Sequence, residues 1–434
     1  MRILHIAPHL GGGVGKAHAT VMEAERRDGS SIRRSYVLLE APRDTTYAER
    51  VRASGCELHV SPAPAEIAAL AAEADIVQIE WWNHPRLYGL LASEILPALR
   101  LVLWTHISGL AAPLIPRRLV ETADHVLFTS PCSLDAPNLK GEIRARPGAF
   151  GVANSGFGFD GIVRADRTPG TPLRCGYIGT LDFVKLHPRL FDFLDAVESP
   201  INVGLWGEHD PQGPVAARAA AMRRPGRVRF EGYADRPANV LADLDLFVYL
   251  LAPGHYGTGE NALVEAMSAG AVPIVWGNPA EAAIVSDGET GRVVRSGEDF
   301  VATMAELSAA PARLARLSAA ARIEAARRHS PAATALALAD AYRAALSGTK
   351  RSRPFHEILG LDARAWFESS VAELMSEGAV RLVASLAAAK GSLAHFRACF
   401  PADPSLAGWM PAGSQAGGYS PVKSSGSLIT RFGA

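Results

Sequence analysis

A strand, a glycine turn and a helix open this chain in direct succession. Arg2 to Ala7 is a compact β-prone run, Gly11, Gly12, Gly13, Val14 and Gly15 follow, and Lys16 to Arg27 is helix-prone. Further runs with few polar residues fall at Arg34 to Leu39, Ile76 to Glu80, Leu101 to Thr105 and His125 to Thr129, with helical or loop segments between them. Strands buried on both faces read as continuous apolar runs, and parallel strands need crossover helices, so this alternation predicts a doubly wound parallel α/β sheet. The stretch Val163 to Thr171, rich in charge, Pro and Gly, interrupts the pattern, which then starts again. The second series runs Leu173 to Ile178, Ile201 to Trp206, Val228 to Phe230, Leu246 to Leu250 and Val272 to Val275.

Two Rossmann-like domains are therefore expected, over residues 1–165 and 166–347, as the 434-residue length also suggests. Ala-rich helical sequence fills Glu298 to Leu346, polar residues Ser347 to Pro354 break it, and Phe355 to Phe400 reads as two or three more helices. Residues 348–410 are thus expected to be a helical extension. Residues 411–434, dominated by Gly, Ser and Pro, read as a disordered tail.

Composition excludes more than it selects. Lys and Arg together number 44, and so do Asp and Glu, which argues against a nucleic-acid partner. The basic stretch Arg313 to Arg328 reads first as a solvated helix face, with a membrane-facing surface as the alternative. Cys56, Cys132, Cys175 and Cys399 form no CxxC pair and have no zinc-like His spacing, so reduced structural thiols are expected. The first apolar run is too short for a signal peptide, and no apolar stretch can span a bilayer, so a cytoplasmic protein is expected, with possible peripheral association at the inner membrane face.

Chemistry concentrates after the run Leu246 to Leu250, in Gly257-Thr258-Gly259-Glu260-Asn261-Ala262-Leu263-Val264-Glu265-Ala266-Met267. A glycine loop that opens a helix suits phosphate, because the first helical N–H groups have no intrahelical acceptor and the helix dipole adds positive potential. A plain capped turn is the alternative. Asp243-Leu244-Asp245 has a metal-binding D-x-D spacing, yet it directly precedes a buried strand, so Asp245 reads as a strand-start acid. In the first half, Gly11 to Gly15 lacks the third glycine of a dinucleotide fingerprint. His106 follows a strand, where open α/β sheets bind ligands, and Glu80, Trp81, Trp82, Asn83 and His84 sit at another such end. The tryptophans could stack on a sugar or simply pack.

Glu265-Ala266-Met267-Ser268-Ala269-Gly270-Ala271-Val272-Pro273-Ile274 resembles the donor-site helix and strand of retaining, family-4-type glycosyltransferases of the GT-B fold, also called glycosyl transferases group 1. Asn278-Pro279-Ala280-Glu281 and Asp287-Gly288-Glu289-Thr290-Gly291 continue the resemblance, as does Gly176 to Lys185 before them. It covers about Met1 to Leu346, with specific motifs from Leu173 to Gly291. It implies two Rossmann-like domains facing an interdomain cleft, with the acceptor side in the first and the donor side in the second. The donor is then a UDP- or GDP-linked sugar and the acceptor a glycan, a lipid-linked or a small molecule, with neither cofactor nor metal.

The resemblance also assigns residues. Glu265 would hold the ribose hydroxyls, and Lys185 would grip the diphosphate where Thr180 replaces a customary arginine. Gly207 and Tyr233 would lie near the nucleotide, together with Gly259, Asn261, Ala262 and Leu263 at the helix start. Gly13 would line the cleft from the first domain, where His106 would face the same cleft, a satisfied core histidine being the alternative. Gly257 stands where the family carries a glutamate, so the nearest acid, Glu260, is the candidate for that role. Lys185, His106 and Glu260 are the expected catalytic residues. Two other readings share the fold: a nucleotide-sugar epimerase or hydrolase, and a binding or scaffold protein with a decayed donor site.

Overall fold

A computed structural model describes residues 1–156, 162, 171–255, 257–371 and 391–410. The chain divides into two units, Met1–Ser155 with Thr334–Ala434, and Gly156–Ala333.

Unit 1 is built on a seven-stranded sheet in which every pairing is parallel: β1 (Arg2–Ala7), β2 (Arg33–Leu38), β3 (Glu57–Val60), β4 (Ile76–Trp81), β5 (Leu101–Thr105), β6 (His125–Phe128) and β7 (Phe150–Val152). The order is β3-β2-β1-β4-β5-β6-β7, so the winding reverses between β1 and β4. The central strands β4, β5 and β6 are buried at every position, the property that made them readable as apolar runs. Strands β3 and β7 were not anticipated. Each lies at an edge with partly exposed side chains and so lacks the continuous apolar signal.

Unit 2 repeats the plan with six strands, β8 (Leu173–Ile178), β9 (Ile201–Trp206), β10 (Val228–Gly232), β11 (Leu246–Tyr249), β12 (Val272–Trp276) and β13 (Arg292–Val294). All pair in parallel in the order β10-β9-β8-β11-β12-β13, with the reversal between β8 and β11. The edge strand β13 is the one missed in this sheet.

Two expectations of domain organisation are corrected. The helix Pro331–Leu346, expected in the second domain, belongs from Thr334 onward to unit 1. Tyr342 on it is fully buried, donates 2.6 Å to Gln78 Oε1 on β4 and accepts from Arg34 on β2 at 2.8 Å. Residues 348–410 are likewise part of unit 1 rather than a separate extension. Arg351 forms a two-way backbone bridge with Leu99, Arg353 pairs with Asp124, and the helices Phe355–Leu359, Ala363–Ser369 and Leu393–Cys399 pack on the helix Pro85–Ala92. Polar residues at 347–354 interrupt the helical pattern because the guanidinium groups of Arg351 and Arg353 are anchors whose carboxylate and carbonyl partners lie far back in sequence. The expected boundary at 165/166 and the tail 411–434 lie outside the described residues.

The basic stretch forms the helix Pro311–Arg328, which turns Leu314, Leu317, Ala321 and Ala325 inward. Arg313 pairs with Glu306, and Arg327 and Arg328 pair with Glu324 on the outer side, the arrangement of a solvated face. The four cysteines are free thiols. No helix among the described residues is long and apolar enough to cross a membrane.

Candidate functional site

In open α/β sheets the chain diverges at the winding reversal, which leaves a crevice outside the carboxyl ends of the strands there. In unit 2 that place lies beyond β8 and β11. The loop after β8 and the loop after β11 are zipped together: His187 N–H donates to Leu250 O at 2.9 Å, and Ala252 N–H donates to Lys185 O at 2.8 Å. This pairing fixes the Lys185 backbone beside the helix Asn261–Ala269. Lys185 Nζ stands 3.9 Å from Glu260 Oε2 and 5.5 Å above the Tyr249 ring, while the Tyr249 hydroxyl donates to Glu260 Oε2 at 2.5 Å. Burial, then the Glu260 charge, holds the Tyr249 phenol well above its usual pKa, so it stays a donor. The Lys185 side chain is 26% exposed and an ion pair this long and wet adds little stability, roughly 0–1 kcal/mol.

Glu260 sits in the left-handed region, with φ 34° and ψ 58°, immediately before the helix. That turn folds its carboxylate back over Gly257, where an added Cβ would stand 1.8 Å from Glu260 Oε1. Position 257 must be glycine for Glu260 to lie there, so the substitution noticed in the sequence and the presence of Glu260 are two parts of one arrangement. Gly207 is equally constrained. A Cβ on it would come within 2.0 Å of Gly179 O, because Gly179 N–H donates to Trp206 O and Gly207 N–H to Gly232 O, which carries the ladder past the strand ends.

The other candidates fall around this edge. Glu265 is buried on the same helix. Gly259, Asn261 and Ala262 are partly buried, whereas Leu263 is a core residue whose N–H donates to Glu260 O at 2.9 Å, so the helix-start amides left for a ligand are those of Asn261 and Ala262. Thr180 is exposed and its carbonyl accepts from the Tyr177 hydroxyl at 3.1 Å. Tyr233, after β10, is 69% exposed. Asp245 is fully buried and accepts from Arg174 N–H at 2.9 Å, as expected of a strand-start acid, while Asp243 points outward.

Sequence reasoning did not single out Glu281. Its carboxyl is completely buried, accepts from Asn278 Nδ2 at 3.2 Å, and is pushed up to about 8 by burial and by the nearby Glu260 charge. The motif Asn278-Pro279-Ala280-Glu281 and an acid among the apolar residues of Pro279–Ile284 were the available signals.

Gly13 and His106 belong to unit 1 and the remaining candidates to unit 2. The helix expected from Lys16 begins already at Gly12, so Gly13 lies in its first turn, exposed. His106 follows β5, and its Nε2 lies 3.0 Å from Glu80 Oε2. Glu80, at the end of β4, is fully buried within a directed network. Arg34 can only donate, so His5 Nε2 accepts from it at 2.9 Å, and His5 Nδ1–H must then donate to Glu80 Oε1 at 3.0 Å. Gln78 Nε2 donates to the same oxygen at 2.7 Å. Burial alone would raise the Glu80 pKa, but the fields of His18 and the bonds from His106 and His5 outweigh it and hold the carboxyl well below its usual range. An ionised Glu80 only accepts, so His106 Nε2 is the donor, and in the neutral ring Nδ1 is then the acceptor nitrogen. None of His5, His18, Arg34 or Tyr342 was anticipated, because their side chains meet only through sheet pairing and the returning C-terminal helix. Trp81 and Trp82 are buried and pack, Trp81 edge-on to Tyr88 at 4.9 Å and Trp82 between His9 and His106.

Three groups of potential metal ligands converge in unit 1: His5, His18 and Glu80; His84, His395 and Cys399; and His9, Glu40 and His84. Their hydrogen bonds suit held protons instead. His9, His84 and His395 each accept a backbone N–H at Nδ1, which places the proton of a neutral ring on Nε2, and both nitrogens of His5 are engaged.

Residues 173–310 match the sequence profile of the family described as glycosyl transferases group 1. No curated protein matches in sequence. Among solved structures, Alr3699/HepE of Anabaena in complex with UDP is 17% identical, with a TM-score of 0.62 over 78% of this chain and 99% of that one. A glycosyltransferase from Rickettsia africae ESF-5 gives 0.65 at 13% identity, over 80% and 99% of the two chains. The apo lipopolysaccharide outer core galactosyltransferase WaaB gives 0.61 at 15%, over 79% and 99%. Residues 173–310 are thus similar to the glycosyl transferases group 1, and the chain as a whole has the GT-B fold, with two Rossmann-like parallel-sheet units.

Proposed function

We propose that this protein is a glycosyltransferase that takes a sugar from a UDP- or GDP-linked donor, the nucleotide binding at the carboxyl edge of sheet 2. The observation that carries the reading is the partly buried ammonium of Lys185, held by backbone pairing beside Glu260 and the start of the helix Asn261–Ala269. A cation and helix-start amides are what a diphosphate needs, and a cation placed there stabilises the charge that grows as the sugar–phosphate bond breaks. The family match over residues 173–310 falls on the same segment, and a relative in fold binds UDP-glucose. Glu265 is assigned to the ribose, Glu260 to the sugar hydroxyls, and unit 1 with His106 to the acceptor side. Transfer proceeds with retention and without a metal ion, since the diphosphate meets Lys185 and backbone N–H groups.

Titration with UDP, GDP and their sugars in excess EDTA, followed by thermal unfolding, tests the reading. At a ligand concentration 100 times Kd the native state should gain about 2.7 kcal/mol. A strict requirement for Mg²⁺ or Mn²⁺ would overturn the metal-free assignment, and inversion at the anomeric carbon of the product would overturn retention. The Glu80–His106 pair favours one second reading, acid–base chemistry on the donor itself, as in an epimerase or hydrolase. Products formed with and without acceptor separate the two.

A further inference from the structure

Glu260 and Glu281 place two carboxyl groups within one another's electrostatic field at the donor edge of sheet 2, and they are not equivalent. Glu260 has partners on Oε2: the Tyr249 hydroxyl donates to it and Lys185 Nζ stands 3.9 Å away. Glu281 has far less. Its Oε1 accepts from Asn278 Nδ2, which also donates to Ala252 O in the loop after β11, and its Oε2 is buried with no hydrogen-bond partner. An ionised carboxylate with one oxygen orphaned and no exposure is strongly disfavoured, and a carboxylate neighbour makes it worse. The surrounding charges explain which way the balance falls. Glu260 and Tyr249 act on Glu281 from the β11 side, and Lys185 from the loop after β8. Arg295 lies against Gly277 at the end of β12, and His187, which burial keeps from charging, packs on Trp276. Lys185 is the one of these that draws Glu281 toward ionisation and that a ligand would occupy.

We propose that Glu281 is a proton-carrying positioning residue of the nucleotide site, and that a nucleoside diphosphate binds over Lys185 with uptake of one proton by Glu281 from alkaline solution. This inference rests on the donor-site reading above. A diphosphate acts in two ways with the same sign: it cancels the Lys185 field that favours ionised Glu281, and it adds negative charge of its own. Asn278 joins Glu281 to Ala252 O and thereby to the loop that delivers Glu260. With the carboxyl pushed up to about 8 in the empty protein, the difference between the two states is greatest just above that pH, beyond the titration range of ordinary histidines.

The test is calorimetric titration of the full chain with UDP and with GDP at pH 8.5, in two buffers of different ionisation enthalpy. Uptake of about half a proton or more per nucleotide is expected, with affinity falling as pH rises from 7 to 9. Glu281→Gln, a neutral amide of the same shape, should abolish the uptake. Glu260→Gln, which removes the like charge, should move it to lower pH. Nucleotide binding to the wild type without proton uptake, or uptake that persists in Glu281→Gln, overturns the proposal while leaving the donor site standing. Failure of both nucleotides to bind overturns the donor-site reading and this inference with it.

Discussion

The two sheets reverse their winding in the same way, yet the crevices beyond β1/β4 and β8/β11 are chemically opposite. Beyond β4 the single carboxylate of Glu80 collects hydrogen bonds from His5, Gln78 and His106, and the direction of the His5 bond is set by Arg34, itself in a bidentate pair with Glu25. Beyond β11 two carboxyl groups share Tyr249, Asn278 and a distant lysine, and one oxygen is left over. In the first arrangement both oxygens of the carboxylate are bonded by the chain itself. One backbone plan thus carries two differently balanced sets of buried polar side chains, one with both oxygens of its central carboxylate bonded and one with an oxygen left over.

The comparison breaks most sharply at its two central residues. Lys185→Ala should lower turnover roughly 100- to 1000-fold while the protein stays folded, an effect like the loss of one oxyanion donor. Steady-state kinetics, once donor and acceptor are in hand, decide this, and a wild-type rate would remove Lys185 from the chemistry. Glu80→Ala should instead act on the fold, costing about 3–5 kcal/mol in denaturant unfolding because buried donors and the Arg34 charge lose their counterpart. A loss below about 1 kcal/mol would mean that the network is not what holds unit 1 together.

A smaller effect is expected at Glu265, where Glu265→Gln should weaken nucleotide binding by about 1.5–3 kcal/mol, the range of a hydrogen bond to a charged group, with unfolding unchanged. Unaltered affinity by calorimetry would reassign the ribose contact. A further expected effect concerns pH. The Glu281 carboxyl is raised to about 8 by burial and Glu260, so the native state holds a proton that the unfolded chain has released. Its contribution is fully present below the ordinary carboxyl pKa of about 4.3 and is lost as pH rises toward 8. Melting temperatures measured from pH 5 to 9 should therefore fall less for Glu281→Gln than for the wild type. Parallel curves would show that the native carboxyl is not raised.

Much of this was legible in advance, and for a definite reason. Apolar residues recur along the inner strands, so β1, β5, β8 and β9 were read to the residue, and the glycine loop before Asn261 was recognisable from its composition. Edge strands β3, β7 and β13 escaped because half-exposed backbone puts no comparable constraint on side chains.

What the sequence by itself determined was therefore the local and the repetitive: two parallel sheets, the helix start at Glu260 and Asn261, and the lysine at position 185. Tertiary structure alone decided the rest. Tyr342 reaches Gln78 across 264 positions, Arg353 finds Asp124 across 229, and only that return assigns the C-terminal helices to unit 1. The ionisation of Glu281 belongs to the same class. No pattern of neighbouring residues can set it, because it depends on how much water the fold removes and on charges brought from β11 and from the loop after β8, and burial and charge proximity are properties of space rather than of sequence.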